Sequence, residues 1–103
     1  MHFVTNLGLS PYPTIEQTGS DTAQALPAGA IATGNVKMQH CVLVVKDAAI
    51  RFALGATPVS SGLGAISDVG DVIELDSYAQ INQFKWINSA AGVTGKLVIY
   101  PGG

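Results

Sequence analysis

Only one cysteine, Cys41, occurs in the 103 residues, so an intramolecular disulfide is impossible and a cysteine-rich zinc site is excluded. Basic residues are nearly as scarce. Lys37, Lys46, Arg51, Lys85 and Lys96 are scattered singly in a chain of formal net charge −2. No basic stripe exists to displace counterions from a phosphate backbone, so no nucleic-acid partner is expected. Charged residues make up 12% of the chain, about half the share of an average soluble domain. No stretch approaches the ~18 consecutive apolar residues of a spanning helix, so no membrane association is expected. The start, Met1-His2-Phe3-Val4-Thr5-Asn6, has no Lys or Arg ahead of an apolar segment. It does not read as a secretory signal, and synthesis in a cytoplasm is expected.

Hydrophobic residues, by contrast, reach 48%, and twelve glycines and five prolines divide them into short runs. A chain of 10.6 kDa buries roughly 64% of its unfolded surface, enough for one modest core. The apolar content is too high for intrinsic disorder.

Residues 1–36 contain no Lys or Arg, two acids (Glu16 and Asp21), three prolines and four glycines. Proline removes donors and glycine raises the ordering entropy, so a long helix or a central strand is disfavoured there. The segment reads as an extended N-terminal arm or as edge strands, with Thr14-Ile15-Glu16-Gln17 as one short extended piece. Alone it recovers too little burial for its entropy, which makes it a candidate contact element.

From residue 37 onward the pattern is that of strands. Met38 to Val45 is apolar and β-branched at its end, Ala49 to Leu54 follows as A-I-R-F-A-L, and Lys46-Asp47-Ala48 between them predicts a tight antiparallel hairpin. Ile50, Phe52 and Leu54 alternate with Arg51 and Ala53. The Gly- and Ser-rich stretch from Gly55 to Asp71 reads as one long loop, either functional or folded onto a neighbour. Val72 to Asp76, Ile81 to Ile87 and Lys96 to Tyr100 predict three more strands, and Ser77 to Gln80 a helical turn capped by Ser77 or Asp76. The expected fold is all-β: a small antiparallel β-sandwich, jelly-roll-like, over residues 37–103, with the N-terminal arm before it.

Catalytic chemistry finds few carriers. His40 sits beside Cys41, and neighbours in a strand point to opposite faces, so the two cannot act as base and nucleophile within one regular strand. Nothing in the spacing selects a Ser and an Asp to complete a triad with His40. Asp68, Asp71, Glu74 and Asp76 form an acidic series, but without the ligand alternation of a helix–loop–helix calcium site. A solvated face is expected, with Lys85 or Arg51 on a neighbouring strand pairing Glu74 and Asp76. Tyr12, Tyr78, Phe84, Trp86 and Tyr100 are the candidates for a sugar-stacking platform, although Phe84 and Trp86 on one strand face read as core. No catalytic residue, cofactor or metal is expected, and the chain reads as a non-enzyme.

The run Ile50-Arg51-Phe52-Ala53-Leu54-Gly55-Ala56-Thr57-Pro58-Val59-Ser60-Ser61-Gly62 combines an Arg-bearing strand with a Gly-x-x-Pro-x-x-x-Gly loop. With Gly70-Asp71-Val72-Ile73-Glu74-Leu75, Phe84-Lys85-Trp86-Ile87 and the closing Leu97-Val98-Ile99-Tyr100, it resembles a group of small tailed-bacteriophage virion proteins. The likeness covers about half the chain, and its motifs are structural. It implies a capsid decoration (cement) protein on the virion surface, made in the host cytoplasm, or else a head–tail, neck or fibre-base component. The implied partners are the major capsid protein and sister subunits in a dimer or trimer. Phe3, Leu7, Tyr12, Ile15, Pro58 and Leu63 are the candidate contact residues. The rival from another class is a carbohydrate- or ligand-binding β-sandwich module, which predicts an exposed aromatic cluster around Trp86.

Overall fold

The structure is a computed structural model and describes residues 14–27, 32–33, 36–59 and 62–102. Its strands are β1 (Ile15–Thr18), β2 (Gln24–Ala25), β3 (Ala32–Thr33), β4 (Val36–Lys37), β5 (His40–Lys46), β6 (Ile50–Leu54), β7 (Ala65–Ser67), β8 (Val72–Leu75), β9 (Phe84–Asn88) and β10 (Lys96–Gly102). One helix, α1 (Tyr78–Gln83), precedes β9. Two four-stranded antiparallel sheets pack as a sandwich, in the orders β1-β10-β5-β8 and β2-β9-β6-β7. A separate pair, β3 with β4, lies between β2 and β5 in the chain. Successive sandwich strands change sheet at every step except β6 to β7, which is jelly-roll topology. Among the described residues no helix is long and apolar enough to cross a membrane.

Alternation builds the core. In β5, Cys41, Leu43 and Val45 are fully buried while Val42 and Val44 face outward. Leu97 and Ile99 of β10, Leu75 of β8, and Ile50, Phe84 and Trp86 of the opposite sheet complete the interior. The rings of Phe52 and Phe84 stack with centroids 5.3 Å apart. Ile81 closes one end of the core from α1. Ser77 caps that helix, its Oγ accepting from the Gln80 N–H, while Gln80 Oε1 accepts from the Asp76 N–H: a reciprocal capping arrangement.

Three elements differ from the sequence reading. Lys46-Asp47-Ala48 is not a hairpin turn, because β5 and β6 belong to different sheets. Asp47 adopts φ 71° and the Ala48 N–H bonds back to Lys46 O, which swings the chain across the sandwich and buries both Val45 and Ile50. The stretch Gly55–Asp71 contains β7, paired to β6 with Arg51 opposite Ile66. Arg51 secures the segment before β7 by donating to the carbonyls of Gly62 and Gly64. Residues 81–83 lie in α1, so β9 begins only at Phe84. Of the N-terminal third, Ile15–Thr18 and Gln24–Ala25 are edge strands, one on each sheet, and Leu26 is core; residues 1–13 lie outside the described residues.

A polar seam holds those edge strands. Trp86 Nε1 donates to Gln17 Oε1 at 2.8 Å, and Gln17 Nε2 donates to Ala25 O at 2.9 Å. Gln24 Nε2 returns to Thr18 O. Asn88, 2% exposed, donates through its side chain to Asp21 and through its N–H to Ser20 O, and its Oδ1 accepts from the Gly95 N–H. The Gly19 N–H reaches Gly95 O at 2.8 Å. A Cβ at Gly19 would overlap Asn88 Oδ1, and one at Gly95 would sit 2.7 Å from Ala48 O, so both positions need the bare backbone. Replacing Asn88 by Ala leaves the Gly95 N–H unpaired and buried, at an expected cost of about 2–3 kcal/mol. Urea unfolding should show this as a lower midpoint with an unchanged slope. Ser77→Ala, which removes only the helix cap, is expected to cost about 1 kcal/mol.

Candidate functional site

Two features stand out on the surface: a cluster of titratable side chains at one end of the β5–β8 pair, and the open side of the sandwich. The cluster follows from register. Cys41 lies opposite Leu75 and Val42 opposite Glu74, and the same register carried one residue on sets His40 beside Asp76. Cys41 and Leu75 point into the core, so His40, Glu74 and Asp76 share the outer face. His40 Nε2 is 2.9 Å from Glu74 Oε2 and 4.0 Å from Asp76 Oδ1, and all three side chains reach solvent.

The pairing expected of Glu74 and Asp76 with Lys85 or Arg51 is not what the fold provides. Arg51 and Lys85 lie on the opposite sheet, with Arg51 bound to loop carbonyls. Lys46 and Lys96 face each other at the far end of β5, roughly 20 Å along the strand. Lys96 is shared there between Glu16 and Asp47. Among the described residues, His40 is the ion-pair partner of both carboxylates. Asp68 and Asp71 do not join the cluster. Asp71 Oδ2 accepts from the Asp68 N–H and shapes the turn from β7 to β8.

Cys41 points away from His40 and is fully buried. Burial pushes its thiol from the ordinary 9.0 up to about 12. A neutral, enclosed thiol is neither nucleophile nor ligand. Thiol reagents at neutral pH are therefore expected to label Cys41 only as the chain unfolds. The raised value also sets a stability trend. Between pH 9 and 12 the unfolded chain binds fewer protons than the folded one, so stability falls as pH rises through that window. Urea midpoints measured at pH 8 and pH 11 should show the decline, and Cys41→Val should remove most of it.

The open side lies opposite the polar seam. β1 and β2 are tied together at one side of the sandwich by Gln17 and Gln24, and at the other side β8 and β7 are the outermost strands of the two sheets, with no further strand paired to them among the described residues. Ile66 (56% exposed), Val69 and Val72 (62% exposed) stand along β7, the intervening turn and β8, with Leu63 just before.

Of the contact residues expected from sequence, Leu63 is exposed at this side. Pro58 is fully buried, and Ile15 is half-buried and packs against the core. Phe3, Leu7 and Tyr12 lie outside the described residues. Trp86 and Phe84 are fully buried, which removes the exposed aromatic platform around Trp86 that a sugar-binding module predicts. Ile66 and Val69 carry no sequence signal of exposure, because β7 lies in a Gly- and Ser-rich stretch without a strand pattern of its own. Sequence reasoning misses the partnership of His40 with Glu74 and Asp76 because the pairing of β5 with β8 has no local signal.

Comparison with protein-family models, with curated proteins and with solved structures returns no match.

Proposed function

We propose that the chain is a non-enzymatic virion structural protein of a tailed bacteriophage: a decoration protein that binds the major capsid protein of the assembled head, acts as a dimer or trimer, and stabilises the shell. The observation that carries this reading is the β7–β8 side, where two strand edges have no partner strand among the described residues, with exposed Leu63 and Val69 beside them and exposed Ile66 and Val72 on the outer faces of the two sheets. Edge strands accept a further strand through backbone hydrogen bonds, and flanking apolar side chains add burial. Repetition on a symmetric shell lets avidity compensate for a small contact. Jelly rolls serve in capsids and in lectins alike, so the topology alone decides nothing. The buried Trp86 and the enclosed Cys41 weigh against the sugar-binding and enzymatic alternatives. The resemblance of these sequence motifs to small phage virion proteins suggests the partner class.

The test is light scattering with co-sedimentation on empty shells of the phage that encodes the chain. The wild-type protein should form a discrete dimer or trimer and sediment with shells. Ile66→Lys combined with Val72→Lys, both at exposed positions, should stay folded and lose binding at least tenfold, about 1.4 kcal/mol. A monomer that ignores shells overturns the reading. Copy number in purified particles separates head decoration, at hundreds per virion, from a neck or fibre-base position at about six to twelve. Deleting residues 2–13 tests the N-terminal contribution without removing β1.

A further inference from the structure

We propose that His40, Glu74 and Asp76 form a surface site for a divalent transition-metal ion of the zinc type. The donor set selects the ion. One imidazole nitrogen and two carboxylate oxygens suit Zn²⁺ and its neighbours, whereas Ca²⁺ and Mg²⁺ favour all-oxygen shells. Three protein donors leave the remaining positions to water or to a further ligand.

The geometry is close to what such an ion needs. The three donor atoms lie within 4.8 Å of one another, with separations of 2.9 Å and 4.0 Å from His40 Nε2 to the two carboxylates. Bonds of ~2.05 Å in a tetrahedral shell put donor atoms roughly 3.4 Å apart. The present spacings straddle that value, and Glu74 and Asp76 are exposed enough to rotate into place. The backbone that carries them is not free to drift. The β5–β8 ladder is anchored by the buried pair Cys41–Leu75, and the Asp76 N–H is held by Gln80 Oε1.

Charge points the same way. Glu74 and Asp76 are two residues apart on one strand face, where like charges repel. Among the described residues their ion-pair partner is an imidazole, which supplies at most one positive charge against two negative ones. A bound dication balances the pair and pins the exposed edge strand β8 to its neighbour β5. This inference does not depend on the proposed function.

The test is isothermal titration of the full chain, stripped with chelator, with ZnCl₂, CaCl₂ and MgCl₂ in separate runs. One Zn²⁺ per chain is expected, with Ca²⁺ and Mg²⁺ binding at least a hundredfold more weakly. His40→Ala should abolish uptake, and Glu74→Gln and Asp76→Asn should each weaken it by about tenfold or more. His2→Ala should leave the His40 site intact, which separates it from any ion held by His2 and the terminal amine. Because Zn²⁺ favours the folded state, it should also raise the melting temperature of wild type and His2→Ala, and not of His40→Ala. Heat-unfolding of metal-free His40→Ala checks that this variant folds. Absence of Zn²⁺ uptake by wild type at about 1 mM, or uptake that survives His40→Ala, overturns the proposal.

Discussion

The side chain of Asn88 is the interaction on which the sandwich depends. It is buried at the end of β9, and its amide and carbonyl are both used, one on Asp21 and the other on the Gly95 N–H. Its backbone N–H takes Ser20 O. These bonds join three remote stretches: the corner between β1 and β2, the end of β9, and the turn into β10. A buried amide left half-satisfied costs more than it gives, so the three stretches must arrive together. Gly19 and Gly95 make the approach possible by presenting bare backbone, and Trp86 with Gln17 repeats the tie a few residues further on. Edge strands of four and two residues have too little ladder of their own to stay in place. They belong to the fold because polar side chains bridge the two sheets beneath them.

The two sides of the sandwich are consequently unlike. On the β1–β2 side the edges are laced together by Gln17, Gln24 and the Asn88 network. On the β7–β8 side the chain makes a short turn shaped by Asp68 and Asp71, and among the described residues no strand covers these edges, which have large apolar residues beside them. An open edge is ordinarily a hazard that proteins cover or charge. Here β8 carries Glu74 at one end of its outer face, with Asp76 just beyond it, and Val72 at the other, so one strand combines a charged and an apolar stretch. A docking partner and a dication would each satisfy a different part of the same edge.

Much of the architecture is legible in the residues. The alternation in Val42 to Val45 follows from burying one face of a strand; Ile50 and Phe52 likewise face the core, whereas Leu54 at the end of β6 is 45% exposed and Leu97, Val98 and Ile99 are all buried. Ser77 as a helix cap is equally local, since the hydroxyl acts on a backbone N–H three residues away. The errors share a cause. Lys46-Asp47-Ala48 has the composition of a hairpin turn, yet the positive φ at Asp47 and the burial of Val45 and Ile50 carry the chain to the opposite sheet. β7 has three residues in a Gly- and Ser-rich stretch, and its pairing with β6 supplies what its own propensity does not. Ile81 to Gln83 are equally compatible with strand or helix, and packing of Ile81 beneath the Ser77 cap selects the helix.

The class of the fold, most inward-facing strand residues and the impossibility of an intramolecular disulfide were legible in the residues alone. Each of these depends on composition or on neighbours two residues apart, where strand geometry is invariant. The order of strands, the burial of Asn88, the open β7–β8 side and the meeting of His40 with Glu74 and Asp76 were decided only by tertiary structure. Asn88 meets Asp21 across 67 positions and His40 meets Glu74 across 34, and such pairings are selected by the collective burial of both sheets, not by any local preference.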